Sequence, residues 1–377
     1  MEKKEPIRIA QIIGKWVGGG VEAVVMNYYR HIDRNKIQFD FICDDDSTNI
    51  PYEEIEKLGG KVILIPPYQK LFKYHKELKK VLKEGNYKIV HSHINTLSVF
   101  SLYAAKCAGI PVRIAHSHST TNKKEWKKNL VKQVLRPFVK VFATDYFACT
   151  EHAGRWMFGN KNFEKGNIYI LNNAIDFKNF TYNVNERNSI RKELNINSDD
   201  YVLGHIGRFV EQKNHNFLID LFYEYYKLND KAKLMLIGQG PLQKEIIKKV
   251  DDLGLSKNVI FLGQRNDANK LYQAMDLFVF PSLYEGLGMV AIETQISTIP
   301  CICSEEVPKE AKISNYIIYE KLEKGPKEWA LIINRNRKKF ADKSKIQFTK
   351  KIDTFNIEIE CKKFTDKMIK LYEGVKK

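Results

Sequence analysis

The chain contains nothing approaching the ~18 uninterrupted apolar residues that a membrane-spanning helix needs. Its first apolar run, IRIAQII at 7–13, is interrupted by Arg8 and Gln11, and no small-residue cleavage site follows. A secretory leader is therefore not expected, and a cytoplasmic location is. Cysteine is sparse: six residues, at 43, 107, 149, 301, 303 and 361, none in a C-x-x-C pair. That excludes a disulfide scaffold. Cys149 in YFACT and Cys301 and Cys303 in PCICS have apolar neighbours, as expected of small buried hydrophobes in a reducing compartment. Low-complexity tracts and short repeats are missing, which excludes a disordered chain and a solenoid. Acidic residues are scarce in one segment. Residues 66–140 hold 16 Lys/Arg against Glu77, Glu84 and Glu125.

What is present suggests a two-domain enzyme. At roughly 100–200 residues per domain, 377 residues suggest two. Hydrophobic residues at 44% and charged residues at 28% lie in the globular range. The net charge of +17 suits a polyanionic partner or a well-solvated surface. No recognisable nucleic-acid-binding module accompanies it.

Strand-like and helix-like segments alternate twice. The first series has strands at 7–13, 39–43, 61–66, 89–93, 112–117, 146–150 and 168–171, with helices at 21–32, 70–85, 97–109 and 123–143, the last interrupted or kinked at Pro137. Residues 178–200 are polar, with a short helix, and read as a linker. Alternation restarts with strands at 201–207, 233–238, 259–263, 277–281, 301–303 and 316–319. Helices are expected between them, and an amphipathic stretch at 356–374 closes the chain. Such alternation predicts two doubly wound parallel sheets, whose ligands bind beyond the C-terminal strand edges.

Four motifs carry chemistry. Gly14, Gly18, Gly19 and Gly20 lie between a strand and a helix, where backbone can approach a phosphate; a merely flexible loop is the alternative. Gly18-x-Gly20-x-x-Ala23 also fits a loose dinucleotide fingerprint, although its turn is too long for the tight form. GRFVEQKNH (207–215) sets Arg208 and Lys213 five residues apart in a loop, where they can converge on a diphosphate or stand as solvated cations. EGLGMVAIE (285–293) places Glu285 before a helix N-terminus and Glu293 two turns along, an arrangement suited to a phosphate flanked by hydroxyl-rich rings. HSH at 91–93 and HSHS at 116–119 put imidazoles at adjacent strand ends; without a carboxylate they suit polar contact with substrate better than a metal.

Together these segments resemble the bacterial glycosyltransferases of family 4, of the exopolysaccharide and capsular type, over essentially the whole chain. GRFVEQKNH is similar to the family's G-R-x-x-x-x-K-[NG] segment, EGLGMVAIE to its E-x7-E, LIGQGP (236–241) to its L-x-G-x-G-P turn, and FLGQRND (261–267) to its base-side segment. There are two departures: NNAID at 172–176 keeps Asn173 but lacks the usual Pro and Gly, and ISTIP at 296–300 has Thr298 where glycine is usual.

The resemblance implies a GT-B fold: two Rossmann-like doubly wound domains, 1–178 for the acceptor and 179–355 for the donor, facing across a cleft, with 356–377 returning to the first. It implies retaining, metal-independent transfer of a hexose or N-acetylhexosamine from a nucleotide diphosphate sugar, UDP being the expected nucleotide, with no cofactor. Arg208 and Lys213 would bind the diphosphate. Glu285 and the amides of Gly286, Leu287, Gly288 and Met289 would hold sugar and phosphate, and Glu293 the ribose. Gly263 and Arg265 would meet the base. Gly19 and Gly20 would close over the phosphates, and His118 would lie beside the transferring sugar. Glu22, His93 and Asn173 fall on the acceptor side. A same-fold sugar-nucleotide epimerase and a dinucleotide-dependent oxidoreductase are the rival enzymes; the second leaves 207–293 unexplained. The acceptor expected is a growing, lipid-linked glycan of surface polysaccharide assembly. Peripheral contact with the inner face of an anionic membrane would run through Lys123, Lys124, Lys127, Lys128, Lys132, Arg136 and Lys140, with Trp126, Leu130 and Val134 interleaved. The ordinary amphipathic alternative buries Leu130 and Val134 in the core.

Overall fold

The structure is a computed structural model that describes residues 5–118, 126–265 and 267–375, with only the backbone described at 126–129. The chain forms two compact units: 1–175 with 353–377, and 176–352.

The first unit runs β1 (Ile7–Gly14), α1 (Gly20–His31), β2 (Ile37–Asp44), α2 (Tyr52–Lys57), β3 (Lys61–Ile65), α3 (Leu71–Glu84), β4 (Ile89–Ser92), α4 (Ser98–Cys107), β5 (Val112–Ser117), α5 (Trp126–Phe142), β6 (Asp145–Ala148), α6 (Glu151–Phe158), α7 (Asn160–Glu164) and β7 (Ile168–Ile170). Its seven strands are parallel, in the order β3-β2-β1-β4-β5-β6-β7. β2 is buried along its whole length, as a strand covered on both faces must be.

The second unit runs α8 (Phe177–Phe180), α9 (Val184–Glu193), β8 (Tyr201–Ile206), α10 (His215–Tyr226), β9 (Ala232–Ile237), α11 (Gln243–Asp252), β10 (Val259–Phe261), α12 (Ala268–Ala274), β11 (Leu277–Phe280), α13 (Met289–Ile296), β12 (Cys301–Ser304), β13 (Ile317–Glu320) and α14 (Gly325–Ala341). Its six parallel strands follow the order β10-β9-β8-β11-β12-β13. The chain then returns to the first unit as α15 (Ile357–Gly374). There Phe364 packs on Tyr28 and Phe39, with ring centroids 5.7 and 6.0 Å apart.

Three readings change. Residues 178–200 are not a linker: α9 is built into the second unit. Arg187 and Arg191 both pair with Asp276, and buried Arg191 donates to the carbonyls of Ala274, Asn197 and Asp200. The segment is polar because its contacts are ionic. The 17-residue helix α14 was not anticipated; it buries Trp329 completely, with the indole N–H donating to Lys321 O at 2.9 Å. Helix α5 is not interrupted at Pro137.

The C-terminal end of α13 makes physical sense of one departure from the family pattern. Thr298 adopts φ 55°, the left-handed conformation usual for a glycine just past a helix. Ile299 N–H donates to Thr294 O across it, and the Thr298 hydroxyl is buried without a partner. A β-branched residue there costs about 1–2 kcal/mol, and glycine gives back part of that in unfolded-state entropy. Thr298→Gly is therefore expected to stabilise the protein by roughly 0.5–1 kcal/mol. Urea unfolding checks this; a lower midpoint would show that the hydroxyl-bearing end is unstrained.

Candidate functional site

Strand order reverses between β1 and β4 in the first sheet and between β8 and β11 in the second. At such a reversal the two connections leave in opposite directions, opening a crevice at the C-terminal edge. The candidate residues of each unit gather around that edge.

In the second unit β8 ends at Ile206, and the chain turns through Gly207 and Arg208. Buried Phe209 anchors the loop under the Gly238–Gly240 turn: its N–H donates to Gln239 O, and its carbonyl accepts from Leu242 N–H. A Cβ on Gly238 would collide with the carbonyl of Gly207, and one on Gly240 with the backbone of Phe209, so both positions need glycine. The loop then knits to the segment after β11. Leu283 N–H donates to Gln212 O at 2.8 Å, the Gln212 amide to Tyr284 O at 2.9 Å, and the Asn214 amide to Pro281 O at 3.2 Å.

These bonds bring Lys213 onto Glu285, Nζ to Oε1 2.7 Å, with both side chains largely buried. Lys213 Nζ also lies 4.9 Å from the Phe280 ring centre. Sequence reasoning gave these two residues separate roles; the fold pairs them. Arg208 is exposed and has no ion-pair partner among the described residues. Glu285 leads into α13 through Gly286, buried Leu287 and Gly288, whose φ of 80° caps the helix. The amides of Gly286, Leu287, Gly288 and Met289 donate to no described residue, leaving an electropositive helix end. An exposed guanidinium, a buried ammonium–carboxylate pair and four unclaimed amides on one sheet edge form an anion-binding constellation with a polar acceptor beside it.

Glu293, about one turn into α13, accepts from the Tyr272 hydroxyl at 2.8 Å. Burial raises its pKa, and the tyrosine bond only partly offsets this. Gly263, at φ 65°, accepts from Gly238 N–H, which keeps this turn beside the β8 loop. The Arg265 side chain is forked onto Asp267 at 2.7 and 2.8 Å and reaches Glu193, so its guanidinium is engaged within the unit.

In the first unit Glu22 is turned back on the glycine loop. Its carboxylate accepts from Val17 N–H at 3.0 Å and fills the space beside Gly19, the N-cap of α1. Gly20 faces open space. The loop's other end is held by buried Trp16, whose N–H donates to Ser47 Oγ and whose carbonyl accepts from Thr48. Asn173 lies after β7 with its side-chain oxygen buried and unpartnered. Its neighbours are docked: Tyr28 donates to Asn172 O, and Asn172 donates to buried Glu360 of α15.

His91 of β4 stacks on His116 of β5, and His93 and His118, just past the two strand ends, pack beside them. His118 Nε2 lies 2.9 Å from His93 Nδ1, and His93 Nε2 lies 2.7 Å from Gln11 Oε1. Asn95 fixes the His118 backbone by accepting its N–H at 2.7 Å. Burial pushes all four imidazoles far below the usual histidine range, His91 and His118 to about 3. Nitrogens of His91, His93 and His116 lie within 4.8 Å of one another. His91 Nε2 lies 3.1 Å from His116 Nδ1, and the outer nitrogens of that pair, His91 Nδ1 and His116 Nε2, are buried without partners.

Sequence reasoning passed over Gln11, Gln212, Asn214 and Tyr272. A polar residue within the apolar run of β1 was the available signal for Gln11. Nothing local marks Tyr272, because its partner Glu293 lies on another helix.

Residues 18–179 match the Glycosyltransferase Family 4 domain and residues 186–315 the glycosyl transferases group 1 domain. EpsF of Bacillus subtilis strain 168, named a glycosyltransferase, is 35% identical over 308 residues, 80% of each chain. The Escherichia coli UDP-Gal:alpha-D-GlcNAc-diphosphoundecaprenol alpha-1,3-galactosyltransferase is 24% identical over 310 residues, 79% of each chain. The crystal structure of Anabaena Alr3699/HepE with UDP and glucose superposes with a TM-score of 0.79 at 18% identity, covering 96% of this chain and 99% of that one. With two Rossmann-like sheets of this topology and a relative of this identity over four-fifths of its length, the chain belongs to the glycosyltransferases of family 4 and has the GT-B fold.

Proposed function

We propose that this glycosyltransferase moves a hexose or N-acetylhexosamine, with retention, from a UDP-sugar to a growing lipid-linked glycan in surface polysaccharide biosynthesis. The observation that carries the reading is the second-unit constellation: exposed Arg208, the buried Lys213–Glu285 pair and the unclaimed amides of 286–289. The E. coli relative, named for a UDP-Gal donor and a diphosphoundecaprenol-linked acceptor, supports the donor and acceptor classes.

The chemistry follows from charge. As the bond between the anomeric carbon and the diphosphate oxygen breaks, negative charge grows on the leaving UDP. Arg208, Lys213 and the N-terminus of α13 are fixed positive partners for it. The acceptor hydroxyl attacks from the same face, and the departing phosphate oxygen takes its proton. Configuration is retained, and no metal is required on this reading. Glu285 orients the sugar, Glu293 the ribose, and the Gly263 turn the base. An epimerase would need acid–base groups around the sugar ring; a dinucleotide oxidoreductase would leave the Lys213–Glu285 pair without a role.

Removing either cation deletes a charge-assisted contact. Arg208→Ala and Lys213→Ala should each lose at least ~2 kcal/mol of transition-state stabilisation, read as kcat/KM for the donor identified by screening UDP-sugars for hydrolysis. Near-normal turnover in either variant would remove the diphosphate assignment. The two glutamates should separate in calorimetric titration with UDP: Glu293→Gln weakens binding, whereas Glu285→Gln spares it and cuts transfer. Because the Glu293 pKa is raised, the native state holds this proton more tightly than the unfolded chain. Its ionisation therefore lowers stability as pH rises above the ordinary glutamate range. Glu293→Gln should accordingly raise Tm at pH 7 while lowering UDP affinity; a lower Tm would mean that the ionised form is favoured by the fold.

Helix α5 supports peripheral contact with membrane. Leu130, Val131, Val134, Phe138 and Val141 recur at helical spacing and are 50–61% exposed, while Val139 packs inward. The ordinary amphipathic reading would have buried Leu130 and Val134. Lys140 is exposed beside the stripe, and Arg136 is engaged with Trp156. Lys123 and Lys124, and the side chains of Trp126, Lys127 and Lys128, lie outside the described residues. Among the described residues no helix is long and apolar enough to cross a membrane. An apolar stripe with a cationic rim suits an anionic lipid interface, each cation contributing about 1 kcal/mol. The protein should co-sediment with anionic vesicles at low salt and not with neutral ones. Leu130→Ser with Phe138→Ser should abolish this without loss of UDP binding. Wild-type protein remaining in the supernatant would make a soluble acceptor the better reading.

A further inference from the structure

A hydrogen-bond chain links the middle of β1 to His118. Gln11 is 1% exposed and His93 4%, so water does not compete for their bonds. An amide oxygen only accepts, so His93 Nε2, 2.7 Å from Gln11 Oε1, must carry a proton. A buried neutral imidazole carries one proton, which leaves His93 Nδ1 as a lone pair. That lone pair lies 2.9 Å from His118 Nε2, which must therefore be the donor. His118 is itself neutral, so its remaining nitrogen, Nδ1, is bare. Nδ1 has no hydrogen-bond partner among the described residues, and the His118 side chain is the half-buried end of the chain.

We propose that Gln11 and His93 are positioning residues that lock His118 as its Nε2–H tautomer, presenting Nδ1 as a hydrogen-bond acceptor for a substrate hydroxyl. The tautomer rests on hydrogen-bond geometry and burial; the substrate hydroxyl rests on the glycosyltransferase reading, in which the resemblance sets His118 beside the transferring sugar. A sugar hydroxyl can donate to bare Nδ1, whereas the other tautomer would present an N–H, to which the same hydroxyl could only accept. The device works without charge, which suits an imidazole whose burial keeps it neutral.

The test uses full-length protein labelled with 15N-histidine, observed by long-range proton–nitrogen correlation and assigned from single variants. His118 and His93 should both appear as Nε2–H tautomers. Gln11→Leu should leave His93 a mixture. His93→Leu should release His118 into a mixture and lower kcat roughly tenfold or more with little change in donor KM. In His93→Asn the amide oxygen can replace Nδ1 as acceptor, so the His118 tautomer and most of kcat should return. A purely structural role for His93 would not separate Leu from Asn in this way. An Nδ1–H form or an imidazolium at His118 in the wild type overturns the relay. So does a His118 tautomer unchanged by His93→Leu. If that variant does not fold, the wild-type spectrum and Gln11→Leu decide alone. The spectra need no donor, so the expected tautomers with no turnover of any UDP-sugar would leave the relay standing and remove the functional reading.

Discussion

Parallel strands cannot be joined by tight turns, so each connection must cross a face of the sheet from the C-terminal edge back to the N-terminal edge. In both units the candidate chemistry depends on that constraint. Where strand order reverses, the loops after the two central strands diverge and leave a crevice. The glycine loop after β1 and the imidazoles after β4 and β5 flank one such crevice. Gly207–Lys213 and Pro281–Met289 flank the other. Residues far apart in the chain thus become neighbours through topology, and local attraction between them is not required.

The Lys213–Glu285 pair has to be understood within this frame. Two charges taken out of water rarely repay their desolvation, so such a pair is weak evidence for stability. Its partners explain its place better. The bonds from Gln212 and Asn214 to the segment after β11 set the two loops at one distance, and the pair lies where those loops meet. On the proposed function, Lys213 would be held ready for a second anion while its pairing keeps Glu285 from capping α13. Glu293 shows the opposite economy: a buried carboxylate with a single hydroxyl donor is less stable ionised than in water, which suits a group whose further partner is a ligand.

The histidines of the first unit use burial differently. Four imidazoles in contact would repel if charged, but desolvation keeps them neutral, so their mutual hydrogen bonds carry information about proton position instead of charge. Membrane contact would draw on another face of the same unit, where α5 turns its apolar stripe outward although a core lies immediately beneath it.

Much of this was legible along the chain. Strand–helix alternation specified two parallel sheets because period-2 and period-3.6 hydrophobic patterns follow from backbone geometry alone. The glycines, Arg208, Lys213, Glu285 and Glu293 stood out because phosphate and hydroxyl recognition needs those groups at loop and helix starts. Thr298 marked a helix end whose backbone the structure holds in a glycine-like conformation. The polar stretch at 178–200 misled, because Arg187 and Arg191 find Asp276 89 and 85 residues away, and no local pattern reports such a partner. Tertiary structure alone decided that Lys213 meets Glu285, that Tyr272 meets Glu293, that Glu22 folds back on its own loop, and that Gln11 reaches His118 through His93. Each of these depends on the direction in which a side chain leaves an element already packed against another. Composition and spacing carry which groups are available; only the packed fold sets which lone pair faces which proton.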